Sequence, residues 1–281
     1  AINAALDEVR LIARPSSPTD VEAGLQSASD RIVIYQGGVE PPPAGPTGDR
    51  VPGAEISYSF DEGEGASVAN SGSALGNDLI IEDPSAVQWL TGGLRVLSPT
   101  RIATPEAVPE LSQACAASGE VTVETWVLPD NDLQSGPARV ITFSSSASFR
   151  NFAVGQVAGD SRDAWYQFRY RTETTNSNGS FNSEGGNALT TAPDSVRIDQ
   201  PTHLVFTRGD DLVFSYIDGQ KTGESLWSGL PLFDDTMRLG LANEFEGPVT
   251  ERPWLGTYYL VAVYCRALSQ DEIQQNYAAG P

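Results

Sequence analysis

The chain has 281 residues and a formal net charge of -20, from 17 basic against 37 acidic side chains. That balance disfavours nucleic acid and anionic membranes, which need basic patches to neutralise phosphate, and no stretch approaches the roughly 20 apolar residues of a membrane-inserted helix. With 27 glycines and 19 prolines punctuating short runs of Val, Ile, Tyr, Phe and Thr, the composition favours strands over helices.

In chain order, residues 1–36 read as a strand (LDEVRLIA), a short helix (SSPTDVEAGLQSA) and a second strand (RIVIYQ). Ser17 is a natural N-cap, with Asp20 three residues on completing a weak capping box. The stretch GGVEPPPAGPTGDRVPG, 37–53, has no apolar periodicity and reads as an extended linker, which places a domain boundary there. From Ala54 onward the text is short strands and turns: ISYSF, LIIE, AVQWL and LRVL come first. Residues 105–118 then predict a helix with Val108, Leu111 and Cys115 on one face. EVTVETWVLP, ARVITFSS, FRNFAVGQ, AWYQFRYRT, THLVFTRGDD, LVFSYIDGQ, MRLGLANEF and LGTYYLVAVY follow. About a dozen strands at this spacing, with almost no helix, predict a two-sheet sandwich or a barrel.

Alternation assigns the faces. Val121, Val123 and Val127 suit the core, with Glu124 and Trp126 displayed on the opposite side. Tyr166, Phe168 and Tyr170 alternate with Gln167, Arg169 and Arg171, so one face is aromatic and the other carries guanidinium groups. Asp218-Gly219 predicts a type I′ hairpin turn. Cys115 and Cys265 are too few for a disulfide scaffold or a thiolate metal site; they read either as two buried thiols or as one bridge, which would support export. His203 is the only histidine, which excludes a histidine-rich metal site; as a single imidazole inside THLVFT it is expected to be a packed strand residue and not a general base. No phosphate loop, CxxC or dinucleotide fingerprint is present.

GEVTVETWVLP, PARVITFS, RNFAVGQ, FRYRTETT, THLVFTR, YIDG, RLGLANE and RPWLGTYYLVAVYCRALSQDEIQQNY, in that order, resemble a bacterial laminin-G-like domain of the concanavalin A-like jelly-roll group. The resemblance spans roughly 54–281. It implies an all-β, two-sheet antiparallel jelly-roll sandwich with one or two short helices, in a secreted or cell-surface protein. It carries no catalytic carboxylate motif. Glu62, Glu64, Glu124 and Glu244 could be paired as acid and base, but among 37 carboxylates coincidental pairs are expected.

The same resemblance gives the first stretch an identity. LDEVRLIARPSSPTDVEAGL, 6–25, looks like the closing strand and helix YYLVAVYCRALSQDEIQQNY, 258–277: aligning Arg14 with Arg266 pairs Val9 with Val261, Ser17 with Ser269 and Val21 with Ile273. It is read as the tail of a preceding repeat, as an extra strand of its own domain, or as a strand donated to a neighbouring copy.

Two sites are expected. The loop 61–78 offers Asp61, Glu62, Asn70, Asn77 and Asp78 as oxygen ligands for a structural Ca2+, a place where jelly-roll relatives commonly hold one; the ordinary alternative is a solvated acidic loop. The resemblance makes the elements NE and RPW neighbours at one end of the sheet. For a glycan or an extracellular protein the candidates are Arg150, Asn151, Arg169, Arg171, Asn243, Glu244, Arg252 and Trp254: an aromatic face for stacking, with amide, carboxylate and guanidinium groups for directed hydrogen bonds. The structural alternative makes Glu244 and Arg252 a loop-tying ion pair and Trp254 a core plug. The polar loop 172–193 is long for a hairpin connection and reads as functional or mobile. The reading that follows is a non-catalytic binding or adhesion module of a larger extracellular protein. An assembly subunit and a polysaccharide lyase or glycoside hydrolase are the alternatives.

Overall fold

A computed structural model describes residues 49–134, 136–158, 163–180 and 188–281. The expectations for 1–36, and for the linker up to residue 48, lie outside the described residues.

The described strands form two antiparallel sheets of eight. The first runs in the order β14 (Gln220–Leu226), β13 (Leu212–Ile217), β12 (Thr202–Gly209), β7 (Val121–Pro129), β16 (Gly256–Tyr264), β5 (Gly93–Val96) and β4 (Val87–Leu90). One edge of β16 is taken by β7 along its length. The other is shared: β5 pairs with Gly256, Thr257 and Tyr258, and β1 (Ile56–Tyr58) pairs with Val261, Ala262 and Val263. The second sheet runs β11 (Leu189–Thr190), β10 (Trp165–Tyr170), β9 (Phe149–Val157), β8 (Ala138–Ser146), β15 (Arg238–Leu241), β6 (Ile102–Ala103), β3 (Leu79–Ile81) and β2 (Ser67–Val68). This is the two-sheet sandwich expected from the sequence.

The inner faces meet as period-2 alternation requires. Val121, Val123 and Val127 of β7, Phe206 of β12 and Val261 and Val263 of β16 pack against Phe143, Phe152, Tyr166, Phe168 and Tyr170 of the second sheet's inner face. Phe168 stacks on Phe206 across the core with ring centroids 5.1 Å apart. The β13–β14 hairpin turns through Asp218 and Gly219, at φ 51° and 73°, the two left-handed positions a type I′ turn demands.

Two helices fill in the described sandwich. In α1 (Pro109–Ser118), Leu111 and Cys115 are buried, and Gly119 ends it at φ 72°, the left-handed C-terminal residue that glycine adopts without steric cost. Cys115 is disulfide-bonded to Cys265, just beyond β16. In α2 (Gln270–Ala279), the Ser269 side chain accepts from the Glu272 amide and Glu272 returns the bond to the Ser269 amide, a complete capping box.

The outer face of the first sheet departs from expectation. Glu124 and Trp126 do point away from the core, but they are not displayed: they are 0% and 6% exposed. Helix α2 lies over them, with Tyr277 stacked on Trp126 at 5.7 Å. Glu124 is hydrogen-bonded to His203 Nε2 at 2.9 Å and accepts from Asn276 Nδ2 and Arg50 Nη1 at 2.7 Å each. Val51 donates its amide to Asn276 at 2.9 Å, so the residues just before the sandwich close this face together with α2. Alternation gives a side chain's direction; only tertiary packing decides whether that direction is solvent.

Candidate functional site

The outer face of the second sheet is built differently. Tyr166, Phe168 and Tyr170 face the core and are fully buried, which turns Gln167 and Arg169 outward. On β9 the segment carrying Arg150 and Asn151 passes beside β8, with Arg150 opposite Ser144. On β8 the register shifts between Arg139 and Ile141, leaving Val140 as an extra residue. That bulge lets Val140 and Ile141 both enter the core while Arg139 faces away. Gly240 of β15 has no side chain, and the Phe245 ring occupies that space, 2.8 Å from where a Cβ would stand.

These elements bring Arg139 and Arg150 onto the Glu244 carboxylate, with Arg169 and Arg252 near enough to bear on Arg150. Arg139 Nε donates to Glu244 Oε2 at 3.0 Å, and Arg150 Nη2 lies 3.5 Å from the same oxygen. Glu244 Oε1 accepts from Ser144 Oγ at 2.5 Å and from the Phe245 amide at 3.2 Å. Arg139 and Glu244 are 2% and 1% exposed and Arg150 is 0% exposed, whereas Arg169 and Arg252 are half-buried. Burial, then the neighbouring Arg139, pushes the Arg150 guanidinium down to about 9 against the pull of Glu244; Arg169 and Arg252 add to the push. Burial, with Arg139 and Arg252 nearby, also lowers Arg169. Arg150 thus stays charged at neutral pH, beside three other guanidinium groups and, among the described residues, the single carboxylate of Glu244. Its Nε and Nη1 are buried without a partner among the described residues, as are Arg169 Nε and Arg252 Nε. Unmet charged donors of this kind are costly unless something else satisfies them.

The structure sorts the other expected residues. Asn151 is structural: its amide donates to Ser112 Oγ and the Asp234 carbonyl at 3.2 and 3.1 Å and accepts from the Asp234 amide at 2.8 Å. Asn243 caps its own loop, accepting from the Glu244 amide at 2.9 Å and donating to the Val249 carbonyl. Arg171 sits apart from the cluster, over the Phe149 ring at 4.6 Å, and donates to the Leu232 carbonyl at 3.1 Å. Trp254 requires a correction. It is fully buried, lies 4.7 Å from the Tyr258 ring and donates to Gln156 at 3.0 Å, so it offers no face for stacking. The Glu244–Arg252 ion pair is also replaced: Glu244 pairs with Arg139 and Arg150, and Arg252 donates to the Gly136 carbonyl.

In the 61–78 loop most of the expected ligands bond to the chain itself, while Glu62 Oε2 is buried without a partner among the described residues. Glu62 accepts from the Ala69 amide at 2.7 Å and Asp78 from the Asn70 amide at 2.9 Å. Asn70 Oδ1 accepts from Ser57 and Gly72 at 2.9 Å each, and Asn77 donates to the Ala74 carbonyl at 2.9 Å. Among the described residues no three His, Cys, Asp or Glu side chains converge on one point.

A recess of about 320 Å³ lies elsewhere, lined by Glu120, Arg208, Asp210 and Asp211 among others. Arg208 there ties loops together through the Gly119 and Gly229 carbonyls. The arginine cluster, with more unmet donors, is the better candidate.

The concanavalin A-like lectin/glucanases superfamily model of the laminin G type matches residues 104–274. No curated protein matches the chain in sequence. Among solved structures, Trypanosoma rangeli sialidase in complex with sialic acid aligns at a TM-score of 0.56 and 15% identity, over 83% of this chain and 36% of that one. A botulinum neurotoxin type C structure, whose subject is cell entry through two ganglioside molecules, aligns at 0.55 and 9% identity, over 80% of this chain and 50% of that one. The chain therefore spans about a third of the sialidase and half of the toxin chain, and at these identities the likeness is one of fold. From the matched residues, which take in α1, β7 to β16 and the first half of α2, the chain belongs to the laminin-G-like family of concanavalin A-like domains.

Proposed function

We propose that the chain is a non-catalytic extracellular module that binds a glycan at the outer face of its second sheet. The observation that carries this reading is the guanidinium cluster around Glu244, with half-buried Arg169 and Arg252 at its rim. Supporting it is the half-buried ring of Phe245 over Gly240 on that face: an apolar ring beside directional donors suits saccharides. Relatives in fold include proteins described with sialic acid and with gangliosides. The Cys115–Cys265 bridge suits an oxidising, extracellular compartment.

The buried carboxylates argue against hydrolysis. Burial pushes Glu124 up, but its hydrogen bond with His203, then Arg50 and Asn276, holds it below the usual carboxylate range, whereas a general acid needs the opposite shift. Glu244 is enclosed by cations on the other sheet, so the two cannot act on one bond. A glycan array probed with the 281-residue protein, with added calcium and with chelator, should show saturable binding; an array blank in both conditions would sink the proposal. Release of reducing or unsaturated ends from a polysaccharide panel would overturn the non-catalytic assignment. A melting temperature raised by calcium would restore a structural cation at the 61–78 loop.

A further inference from the structure

We infer that Arg139, Arg150, Arg169 and Arg252 form an oxyanion subsite that takes the carboxylate or sulfate of an acidic saccharide. The inference rests on the glycan-binding reading and narrows it to a charge class. Four observations support it.

The first is charge. Arg139 and Arg150 both contact Glu244; among the described residues the charges that bear on Arg150 are Arg139, Arg169 and Arg252 against Glu244 alone, on a protein whose net charge is -20. The second is unmet bonding capacity. Arg150 is fully buried and spends Nη2 on the Ala147 carbonyl and Glu244, leaving Nε and Nη1 without partners among the described residues. A guanidinium presents its donors as a planar fork that matches the paired oxygens of a carboxylate or sulfate.

The third is layering. Arg139 and Arg150 form a buried floor held by Glu244, while Arg169 and Arg252 are half-buried and can reach a ligand. The floor is fixed by the β8 bulge and the β8–β9 pairing, so its charges are oriented before any ligand arrives. The fourth concerns the ligand's body. Phe245 lies over Gly240 on the outer face, with Arg238 above its ring at 4.7 Å. Its ring is half-buried, a setting that favours a pyranose over an acidic peptide, which offers charge without an extended C–H face.

Calorimetric titration of the 281-residue protein tests this with four probes of matched length: a uronic acid oligosaccharide, a sulfated oligosaccharide, a neutral oligosaccharide and an oligo-glutamate peptide. The expected result is that at least one acidic saccharide binds tenfold or more tightly than the neutral one, and that rising salt weakens it. Arg169→Gln and Arg252→Gln, whose side chains reach solvent, should each cost about tenfold in that affinity while melting within a few degrees of the parent. Arg150→Lys keeps the charge and loses the fork, and should reduce affinity for the carboxylated more than for the sulfated ligand. Equal binding of neutral and acidic saccharides, or acidic binding untouched by Arg169→Gln and Arg252→Gln, overturns the oxyanion subsite and leaves the glycan-binding module standing. Tighter binding of oligo-glutamate than of either acidic saccharide overturns the saccharide as ligand. Absence of binding to all four probes removes this inference, and a blank glycan array removes the broader one.

Discussion

Glu124 and Glu244 are both enclosed carboxylates, and their neighbours give them different work. Glu124 is satisfied on every side by Arg50, His203 and Asn276, so it holds α2 and the entering chain onto the sheet. Glu124→Gln leaves Arg50 and His203 without their acceptor charge and should cost about 3 kcal/mol in denaturant unfolding. The pH dependence has a definite sign. The folded pKa lies below the ordinary 4.5, so the contribution is complete above 4.5 and is lost as pH falls from there through the folded value. The variant's acid limb should therefore be shallower by up to about one proton. Glu244 serves as counter-ion for a cluster it cannot neutralise. Sequence reading found Arg150, Arg169, Glu244 and Arg252 but missed Arg139, for a physical reason. Strict alternation in ARVITF sets Arg139 on the face of Ile141 and Phe143, which is the core; the bulge at Val140 reverses it. Trp254 shows the converse, since nothing in RPW distinguishes a stacking platform from a ring sealed against Tyr258.

At the scale of elements, strands and turns were legible because their signals are local. The β13–β14 turn needs two left-handed residues, and Asp218-Gly219 supplies them. The capping box of α2 needs Ser and Glu three apart, and Ser269 and Glu272 stand there. Which sheet face a helix covers is a long-range matter, so α2 over Glu124 and Trp126 could not be read. The disulfide is also long-range, tying α1 to the residue following β16 across a separation of 150. Replacing both cysteines by serine should cost about 5 kcal/mol by the chain-entropy account, read as a lower midpoint in denaturant. Reductant added to the parent should reproduce the shift, and equal midpoints with and without it would show the bridge to be thermodynamically idle.

For the whole molecule, what matters is where the closing element sits. In this sandwich the closing strand is β16, an interior strand with β7 on one edge and β5 and β1 on the other. The stretch 6–25 that resembles this element lies outside the described residues, so its three readings are separated by experiment. Deleting 1–36 should leave the melting temperature unchanged, because every strand described above is retained. On a sizing column, loss of an oligomer upon deletion would mark a donated strand, and an unchanged elution volume would favour the repeat remnant.

The interior position of β16 also sets an order of events during synthesis. Ile56 must wait for Val263, so β1 has no strand partner until β16 has been made; the β4–β5 hairpin can pair within itself but joins the rest of its sheet only through Gly256, Thr257 and Tyr258. A nascent chain of this domain stays open between β7 and β5 until β16 emerges, and Cys115 lacks its disulfide partner until Cys265 follows it. A product ended at residue 253 should accordingly show no cooperative melting transition in calorimetry, although it lacks little more than one strand and one helix. The domain's own termination is thus its folding checkpoint: incomplete chains remain recognisable as incomplete.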